Sequence, residues 1–583
     1  MSAPSVATWI DEVSIDEAMR HTAEIARWVR LSGSDDERQA FDYVAKTLAG
    51  YGLETTLHQP TCLVSLPVSG SLVVGGDHFV PCITHSFSIT TSEAGVAGEL
   101  FYAGQGTRLE LAAAGARGKI ALTDGLATPN KAHAASIEGA LAVINISGEH
   151  VHEMIVSPVW GSPTPDRLGE LPSVAIVSID LVAGDRIKER LKGGSVRARV
   201  GCVVDTSWRP IPVLLADLRL DVPEYVLFSG HIDSWHYGAM DNASANATMI
   251  ETARVLVAHA GSLRRGVRFA FWSGHSHARY AGSTWFADRY WFDLRERCVA
   301  HVNVDSTGAV GATDLTGSNT MAETYPLARD VIARQTDQQL RYRRFGRAGD
   351  QSFWGVGLSS FFMSLSEQGA TNEMTADQAF LFGGSSARGG GLGWWWHTTE
   401  DTLDKIDPGH LTRDIKVYVE TVGRLTTDPI VPLDVGALLD ELAAQLDAIE
   451  PMWDGLPLGA DDDDTGFRAL REDLASARSA AAAVMSRVGS DSGASDVDSE
   501  QLSKAIVAAC KALVPVNYTL AGEFDHDLAL GAVPLPLLRP ARPVAAMSDD
   551  EQWGSTHLLR RRVNRVRAAV RDARAELTGA LEA

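Results

Sequence analysis

Apolar residues change their spacing along this chain, and the changes divide it into stretches. In residues 1–60, IDEAMRHTAEIARWVR sets Ile15, Met19, Ile25 and Val29 at near-helical intervals, which predicts a helix. DERQAFDYVAKTLAGYG predicts a second helix closed around Gly50 and Gly52, and LETTLHQP then reads as a strand. Residues 61–205 alternate short apolar strands with glycine turns (GELFYAG, GKIALTD, ALAVINIS, SVAIVSID, SVRARVGCVVD). The clear helix among them is LVAGDRIKERLKGG, so a separate β-rich insert is expected.

Residues 206–425 return to α/β alternation. EYVLFSG, VRFAFWSG and CVAHVNVD read as buried strands, each followed by a polar or glycine-rich segment, with the helical pattern NATMIETARVLVAHA between them. This predicts a sheet covered by helices, with its site at the carboxyl ends of the strands. Residues 426–583 are rich in Ala, Leu, Arg and Asp. ALLDELAAQLDAIEPMW, FRALREDLASARSAAAAVMSRV and THLLRRRVNRVRAAVRDARAEL are amphipathic helices, and 461–464 and 489–499 read as loops.

Composition narrows the classes. With 45% hydrophobic and 22% charged residues, the chain is neither a collagen-like rod nor wholly disordered. Asp and Glu outnumber Lys and Arg by 74 to 52, a net charge of −22, which disfavours nucleic acid and anionic membranes as partners. Cys62, Cys82, Cys202, Cys298 and Cys510 are scattered and form no CxxC pair, so neither a disulfide framework nor a cysteine zinc site is expected. The opening MSAPSVATWIDEVSIDEAMRHT lacks the basic and apolar regions of a signal peptide. No apolar run reaches about 18 residues. A cytoplasmic location is the expectation.

The chemistry gathers in FSGHIDSWHYGAMDNASANATMIETARVL. His231 follows a hydrophobic strand, Asp233 lies two residues on, and Asp241 begins a DN pair that opens a helix. Imidazole and carboxylate at strand ends suit a divalent metal, and Asp233 is placed to orient the His231 ring from behind. Three further segments add donors. NVDSTG puts Asp305 at a strand end, WWWHTTEDTLDKID places His397 after three tryptophans, and FAFWSGHSHARYAGS carries His275 and His277 at another strand end.

In this order the segments resemble the M28 metallopeptidase family, the group of zinc aminopeptidases and glutamate carboxypeptidases. The matching stretches are His231-Ile232-Asp233-Ser234, Gly238-Ala239-Met240-Asp241-Asn242, Asn303-Val304-Asp305 and His397-Thr398-Thr399-Glu400-Asp401-Thr402. The resemblance covers residues 206–425 and extends to RLSGSDDERQAFDYVAKTLAGYG near the N-terminus. GARGKIALTDG, a helix and GALAVINIS resemble a protease-associated domain, and the whole layout is similar to that of the transferrin receptor and glutamate carboxypeptidases. It implies an α/β fold in which a mixed, mostly parallel sheet is flanked by helices, as in zinc exopeptidases. A β-rich protease-associated insert (61–205), a main metal-binding domain (206–425, with 1–60 as its N-terminal part) and a C-terminal helical domain (426–583) complete the layout. It also implies a co-catalytic centre in which Asp241 bridges two divalent ions, His231 and Asp305 complete one and His397 the other. Zinc is the first expectation for the ion, with Mn or Fe as alternatives.

One motif departs from the family. Its Glu-Glu pair, a general base followed by a metal ligand, is replaced in Trp272-Ser273-Gly274-His275-Ser276-His277-Ala278-Arg279-Tyr280-Ala281-Gly282-Ser283. Counted from the strand, His275 and Ser276 take the two positions; counted back from Gly282-Ser283, Ser276 and His277 do. Imidazole is the better divalent-metal ligand than a hydroxyl, which favours His277, with His275 as the alternative. In an extended segment both would face one side. His275 is also the first candidate for the general base, ahead of Glu400 and Glu367. Exchanging a carboxylate for a neutral imidazole raises the charge of the centre by one and welcomes an anionic ligand.

Around these residues, Tyr280 and Arg279 are candidates for stabilising an oxyanion or holding a substrate carboxylate. His236, Asp350, Trp354 and Trp396, with Trp394 and Trp395, are candidates for the substrate pocket. The expected function is metal-dependent hydrolysis of an amide or peptide bond in a small or non-standard substrate. The alternatives are a non-catalytic binding or assembly protein on the same scaffold, and a metalloenzyme of another reaction class. The C-terminal helices are expected either to pair two chains into a homodimer or to dock as a bundle.

Overall fold

The computed structural model describes residues 6–368, 392–459, 465–490 and 496–582. Its central sheet contains β1 (Glu54–His58), β2 (Val213–Leu218), β3 (Tyr225–His231), β4 (Gly266–Trp272), β5 (Cys298–Asn303) and β6 (Ser360–Phe361), in spatial order β1-β2-β4-β3-β5-β6. The β4-β3-β5-β6 portion is parallel; β1 and β2 run antiparallel along one edge. The expected mixed, mostly parallel sheet is therefore present.

Every residue of β3, β4 and β5 is buried, which is why these strands read as unbroken apolar runs. Alternate side chains enter different cores. Val226 and Phe228 join the large core, whereas Tyr225 and Leu227 pack with Trp272, Phe286 and Phe353. The large core is closed by α1 (Ile15–Ile25), α2 (Asp35–Gly50), α3 (Ala245–Ala258) and α4 (Pro408–Thr427). Ser14 and Ser34 cap α1 and α2 by accepting the N–H groups of Glu17 and Glu37, and acidic residues occupy both first turns.

The insert leaves and rejoins this sheet through two long strands. Thr61–Val74 and Val196–Pro210 pair antiparallel from Thr61 opposite Pro210 to Val74 opposite Ala198. Beyond them Val96–Tyr102, Ile120–Asp124, Ala142–Ile146 and Ala175–Ile179 form a parallel core. Helix Pro129–Glu138 stands where the resemblance implies one, before GALAVINIS, and Leu181–Lys192 is present as expected; Arg108–Ala113 is a helix that the strand pattern does not predict. Pro129–Glu138 is mostly small and polar residues with no apolar stripe to mark it.

The C-terminal region packs helices Val435–Ile449, Phe467–Ser490, Asp496–Tyr518 and Asp549–Glu582, the last burying Leu559, Val563, Val566, Val570 and Leu577. The stretch 489–499 is less of a loop than expected, with helix up to Ser490 and again from Asp496. A single glycine costs a helix only about 1 kcal/mol, and Gly489 does not end this one. Residues 461–464 and 491–495 lie outside the described residues. No described helix is long and apolar enough to cross a membrane.

Candidate metal centre

Asp241 stands between two imidazoles. Its Oδ1 is 3.2 Å from His231 Nε2 and its Oδ2 is 3.1 Å from His397 Nε2, while Asp305 Oδ2 lies 3.6 Å from the same His231 nitrogen. Both rings are aimed from behind by main-chain carbonyls. His231 Nδ1–H donates to the Asp233 carbonyl at 2.9 Å and His397 Nδ1–H to the Glu153 carbonyl at 2.6 Å, leaving each Nε2 lone pair facing Asp241. His231 Nε2 and Asp241 Oδ1 are buried and have no hydrogen-bond partner. Unprotonated imidazole nitrogens and carboxylate oxygens facing one another in this way fit a divalent ion such as Zn²⁺, Mn²⁺ or Fe²⁺.

The local chain conformation explains the convergence. Gly238 has φ +50°, and a Cβ there would stand 2.2 Å from the Asp241 carbonyl oxygen, so only glycine fits the turn that delivers Asp241. The Asp401 carboxylate accepts the N–H groups of Met240 and Asp241 at 2.8 and 3.0 Å. Burial nevertheless pushes Asp401 up to about 7, against the pull of those donors. Asn246 donates to the His231 and Asn242 carbonyls, and Asn242 Oδ1 accepts the Ser306 N–H, tying the ends of β3 and β5 to the start of α3. Beneath them Arg30 is fully buried and donates to the carbonyls of Ile25, Trp28, Ile232, Tyr237 and Gly238.

The segment after β4 is a turn and not the extended run expected of it, and this separates the two histidines. His275 joins the centre. Ligand atoms of His231, His275 and Asp305 lie within 4.8 Å of one another, and the His275 ring stacks on that of His231 with centroids 3.7 Å apart. Its Nδ1–H donates to Asp350 Oδ2 at 2.7 Å. His277, favoured as the ligand from its chemistry, instead packs against Trp235, with Nδ1 3.0 Å from the Ser32 hydroxyl. Burial lowers His277 to about 4. In a turn, residues i and i+2 no longer share a face.

Other expected residues divide in the same way. Asp233 stands behind the His231 ring, its main-chain carbonyl 2.9 Å and its carboxylate 3.6 Å from Nδ1. The carboxylate accepts the Ser32 hydroxyl and the N–H groups of His275 and Ser276, and so fixes the turn. Asp350 is not a pocket-wall residue but the partner of His275, and it also accepts the Ser283 hydroxyl. Ser276 and Tyr280 line the pocket. Tyr280 accepts the Gly349 N–H, keeps its own hydroxyl proton free to donate, and is shifted upward by burial.

Glu400 is exposed to solvent and outside the pocket wall, and Glu367 pairs with Arg343; neither is placed as a base. Trp354 is buried against Tyr518 and away from the pocket wall, so it packs the core. Trp395 is also core, and Trp394 stacks on His150. Trp396 does line the pocket, stacked on His397 at 3.5 Å. His236 sits near the insert, 4.0 Å from Glu153. Sequence reasoning assigned no role to Glu153, which burial pushes up to about 7, or to the supports Arg30 and Asp401. Asp401 was visible within the HTTEDT segment, but Glu153 carries no signal in the β-rich insert.

The pocket above the centre has a volume of about 400 Å³. Asp241, Asp305, His275 and His397 form its floor, and Trp235, Trp396, Met154, Ile155 and Met363 give it apolar walls. Met154 and Ile155 come from the insert, so the pocket is shared between insert and sheet.

A mixed α/β sheet with imidazoles and carboxylates converging at its carboxyl edge defines a metallohydrolase type of scaffold. Residues 214–422 match the model of peptidase family M28. Among curated relatives, Aminopeptidase NAALADL1 of Mus musculus is 38% identical over 97 residues, covering 15% of this chain and 12% of that protein. Aminopeptidase NAALADL1 of Rattus norvegicus is 28% identical over 263 residues, covering 39% and 33%. The matched stretches thus span at most a third of those relatives. An aminopeptidase from Aneurinibacillus sp. strain AM-1 superposes with a TM-score of 0.55 at 21% identity, over 72% of this chain and 96% of that one. BSAP, a zinc aminopeptidase from Bacillus subtilis, gives 0.54 at 18% identity, over 71% and 96%. These structures share the fold.

Proposed function

We propose that the protein is a metal-dependent hydrolase of amide or peptide bonds, with one or two zinc ions held by His231, Asp241, Asp305 and His397. The observation that carries this reading is the Asp241 carboxylate, with each oxygen turned to a different imidazole. A bound divalent ion supplies Lewis acidity toward a carbonyl and acidifies water. The chain's own groups supply the rest. Asp350 keeps the proton of His275 on Nδ1, so His275 Nε2 is the proton acceptor at the pocket floor and later returns the proton to the leaving nitrogen. The Tyr280 hydroxyl donates toward the oxyanion, and the apolar walls exclude water.

The turn after β4 presents His275 and Ser276 where the family has two glutamates, so it offers no carboxylate to a substrate α-amine. The proposed substrate is accordingly a small amide other than an ordinary peptide N-terminus. The insert is proposed to be a protease-associated domain that closes the pocket with Met154 and Ile155. Pairing of two chains through the C-terminal helices is proposed as well, with light scattering as its check.

The test measures metal content and amide hydrolysis together. Wild type is expected to hold one or two zinc ions per chain and to turn over. Asp241→Asn and His397→Ala are expected to lose both metal and turnover, and His275→Gln to keep metal and lose turnover. Loss of metal in His275→Gln would make His275 a ligand and not the base. Full turnover in any of the three removes that residue from the centre. Efficient cleavage confined to peptides with free, positively charged N-termini would overturn the substrate class.

A further inference from the structure

The insert turns one face of its sheet to solvent at the end farther from the central sheet. Cross-strand pairing sets Phe79 opposite Val73, Val73 opposite Arg199 and Arg199 opposite Ala97, so these four side chains form a row on one face. Arg197, two residues before Arg199, shares that face. The opposite face is core, where Leu72, Val74, Val80, Ala198 and Val200 are buried. Phe79 is 75% exposed, and Arg197 and Arg199 are exposed as well.

A cleft of about 740 Å³ follows this row. Val73, Ala97, Arg197 and Arg199 line it, and Arg190 joins them from the last turn of helix Leu181–Lys192. The turns Gly75-Gly76 and Gly193-Gly194 form its rim, and a Cβ at Gly76 or Gly194 would meet nothing, so the cleft stays open. Ser65, on the same long strand as Val73, donates its N–H to the His277 carbonyl. At about 3.3 Å per residue the cleft lies roughly 25 Å further along that strand, apart from the metal centre.

No carboxylate lines the cleft. Arg190 donates to the Val74 carbonyl at 3.5 Å. Among the described residues no carboxylate pairs with Arg190, Arg197 or Arg199, although Glu99 stands opposite Arg197 on the neighbouring strand. Exposed arginines elsewhere have acidic partners: Arg38 has Asp42, Arg334 has Asp330 and Arg478 has Asp440. In a chain with 74 acidic and 52 basic residues, this cleft is a local reversal of charge. Like charges gathered in one cleft repel, and an anionic partner removes that repulsion.

We propose that this face of the insert binds an extended acidic segment of a partner protein, with carboxylates on alternate residues and an apolar side chain beside them. Residues two apart on a strand are about 6.6–6.8 Å apart. The guanidinium forks of Arg197 and Arg199 therefore match two carboxylates at alternate positions of an extended peptide. Phe79 supplies the apolar contact at the end of the row. The proposal does not depend on the amide-hydrolysis reading.

The test is fluorescence anisotropy of the full chain with a labelled peptide, Ser-Glu-Leu-Glu-Ser-Glu-Ser, and with its counterpart carrying Gln for every Glu. Wild type is expected to bind the acidic peptide, more weakly as salt is raised, and not the Gln peptide. The double variant Arg197→Gln, Arg199→Gln is expected to weaken binding by about tenfold or more. Phe79→Ser is expected to weaken it by about threefold or more. These side chains are exposed, so circular dichroism, Tm and zinc content are expected to match wild type. Absence of wild-type binding below about 1 mM overturns the proposal, as does equal binding by the double variant or equal binding of the Gln peptide. Unchanged affinity in Phe79→Ser strikes the apolar contact. Arginine-dependent binding of polyphosphate without binding of the peptide would make the cleft a phosphate site and overturn the assignment to an acidic protein segment.

Discussion

His275 and Asp350 meet through a 2.7 Å bond from Nδ1–H to a buried carboxylate, although the residues are 75 positions apart in the chain. The bond fixes which imidazole nitrogen faces the pocket. Replacing Asp350 with Asn keeps the shape but removes the charge that favours this arrangement. Turnover is expected to fall about tenfold to a hundredfold, the usual effect of losing a partner behind a working histidine. Asp350→Ala is expected to fall further, with circular dichroism unchanged. Wild-type kcat in both variants would leave the pair without a role.

Asp401 holds the main chain of Met240 and Asp241 through both carboxylate oxygens. An asparagine has a single acceptor oxygen, so Asp401→Asn frees one buried N–H and loosens Asp241. Zinc affinity, measured by competition with a chromophoric chelator, is expected to weaken by about tenfold to a hundredfold. Unaltered affinity would show that Asp241 is placed without Asp401.

Arg30 supports the loop between β3 and α3 by donating to main-chain carbonyls. Arg30→Met leaves these buried acceptors unsatisfied. Stability is expected to drop by at least about 3 kcal/mol, read as a lower urea midpoint. A midpoint equal to that of wild type would mean that other donors replace the guanidinium.

Metal binding to the folded chain alone raises its stability. With free zinc at about 100 times its dissociation constant the gain is about 2.7 kcal/mol, so a chelator is expected to lower the Tm of wild type. The same chelator is expected to leave the Tm of the Asp241→Asn, His397→Ala double variant unchanged. An equal shift in both proteins would place the ion elsewhere.

Glu323 is buried, accepts the Ser359 hydroxyl, and is pushed up by burial from 4.5 to about 7. Its folded form therefore holds a proton more tightly than its unfolded form. The stability this contributes is fully present below pH 4.5 and is lost as pH rises through 7. Glu323→Gln removes that dependence. Unfolding series from pH 4 to 8 are expected to show wild type losing stability relative to the variant as pH rises. Parallel curves would mean that Glu323 is ionised in the fold.

The α/β architecture was legible because β3, β4 and β5 are buried on both faces and must be apolar throughout. The donors His231, Asp241, Asp305 and His397 were legible because each sits at a strand end or helix start, where local sequence dictates backbone direction. Helix Pro129–Glu138 was expected only through the resemblance of the segments on either side of it, because it leaves no periodic apolar stripe of its own. Trp354 misled for the opposite reason: a tryptophan near the pocket in sequence packs the core as readily as a cavity wall.

Sequence alone determined the order of the elements, the candidate donors and the departure from the Glu-Glu pair, since these depend on residue type and short-range spacing. Tertiary structure decided which histidine enters the centre. That choice hangs on a turn held by Asp233, whose partners His275 and Ser276 lie more than 40 residues away. It also set Asp350 behind His275. Such pairings join segments remote in the chain, and only the closed fold brings them within hydrogen-bonding distance.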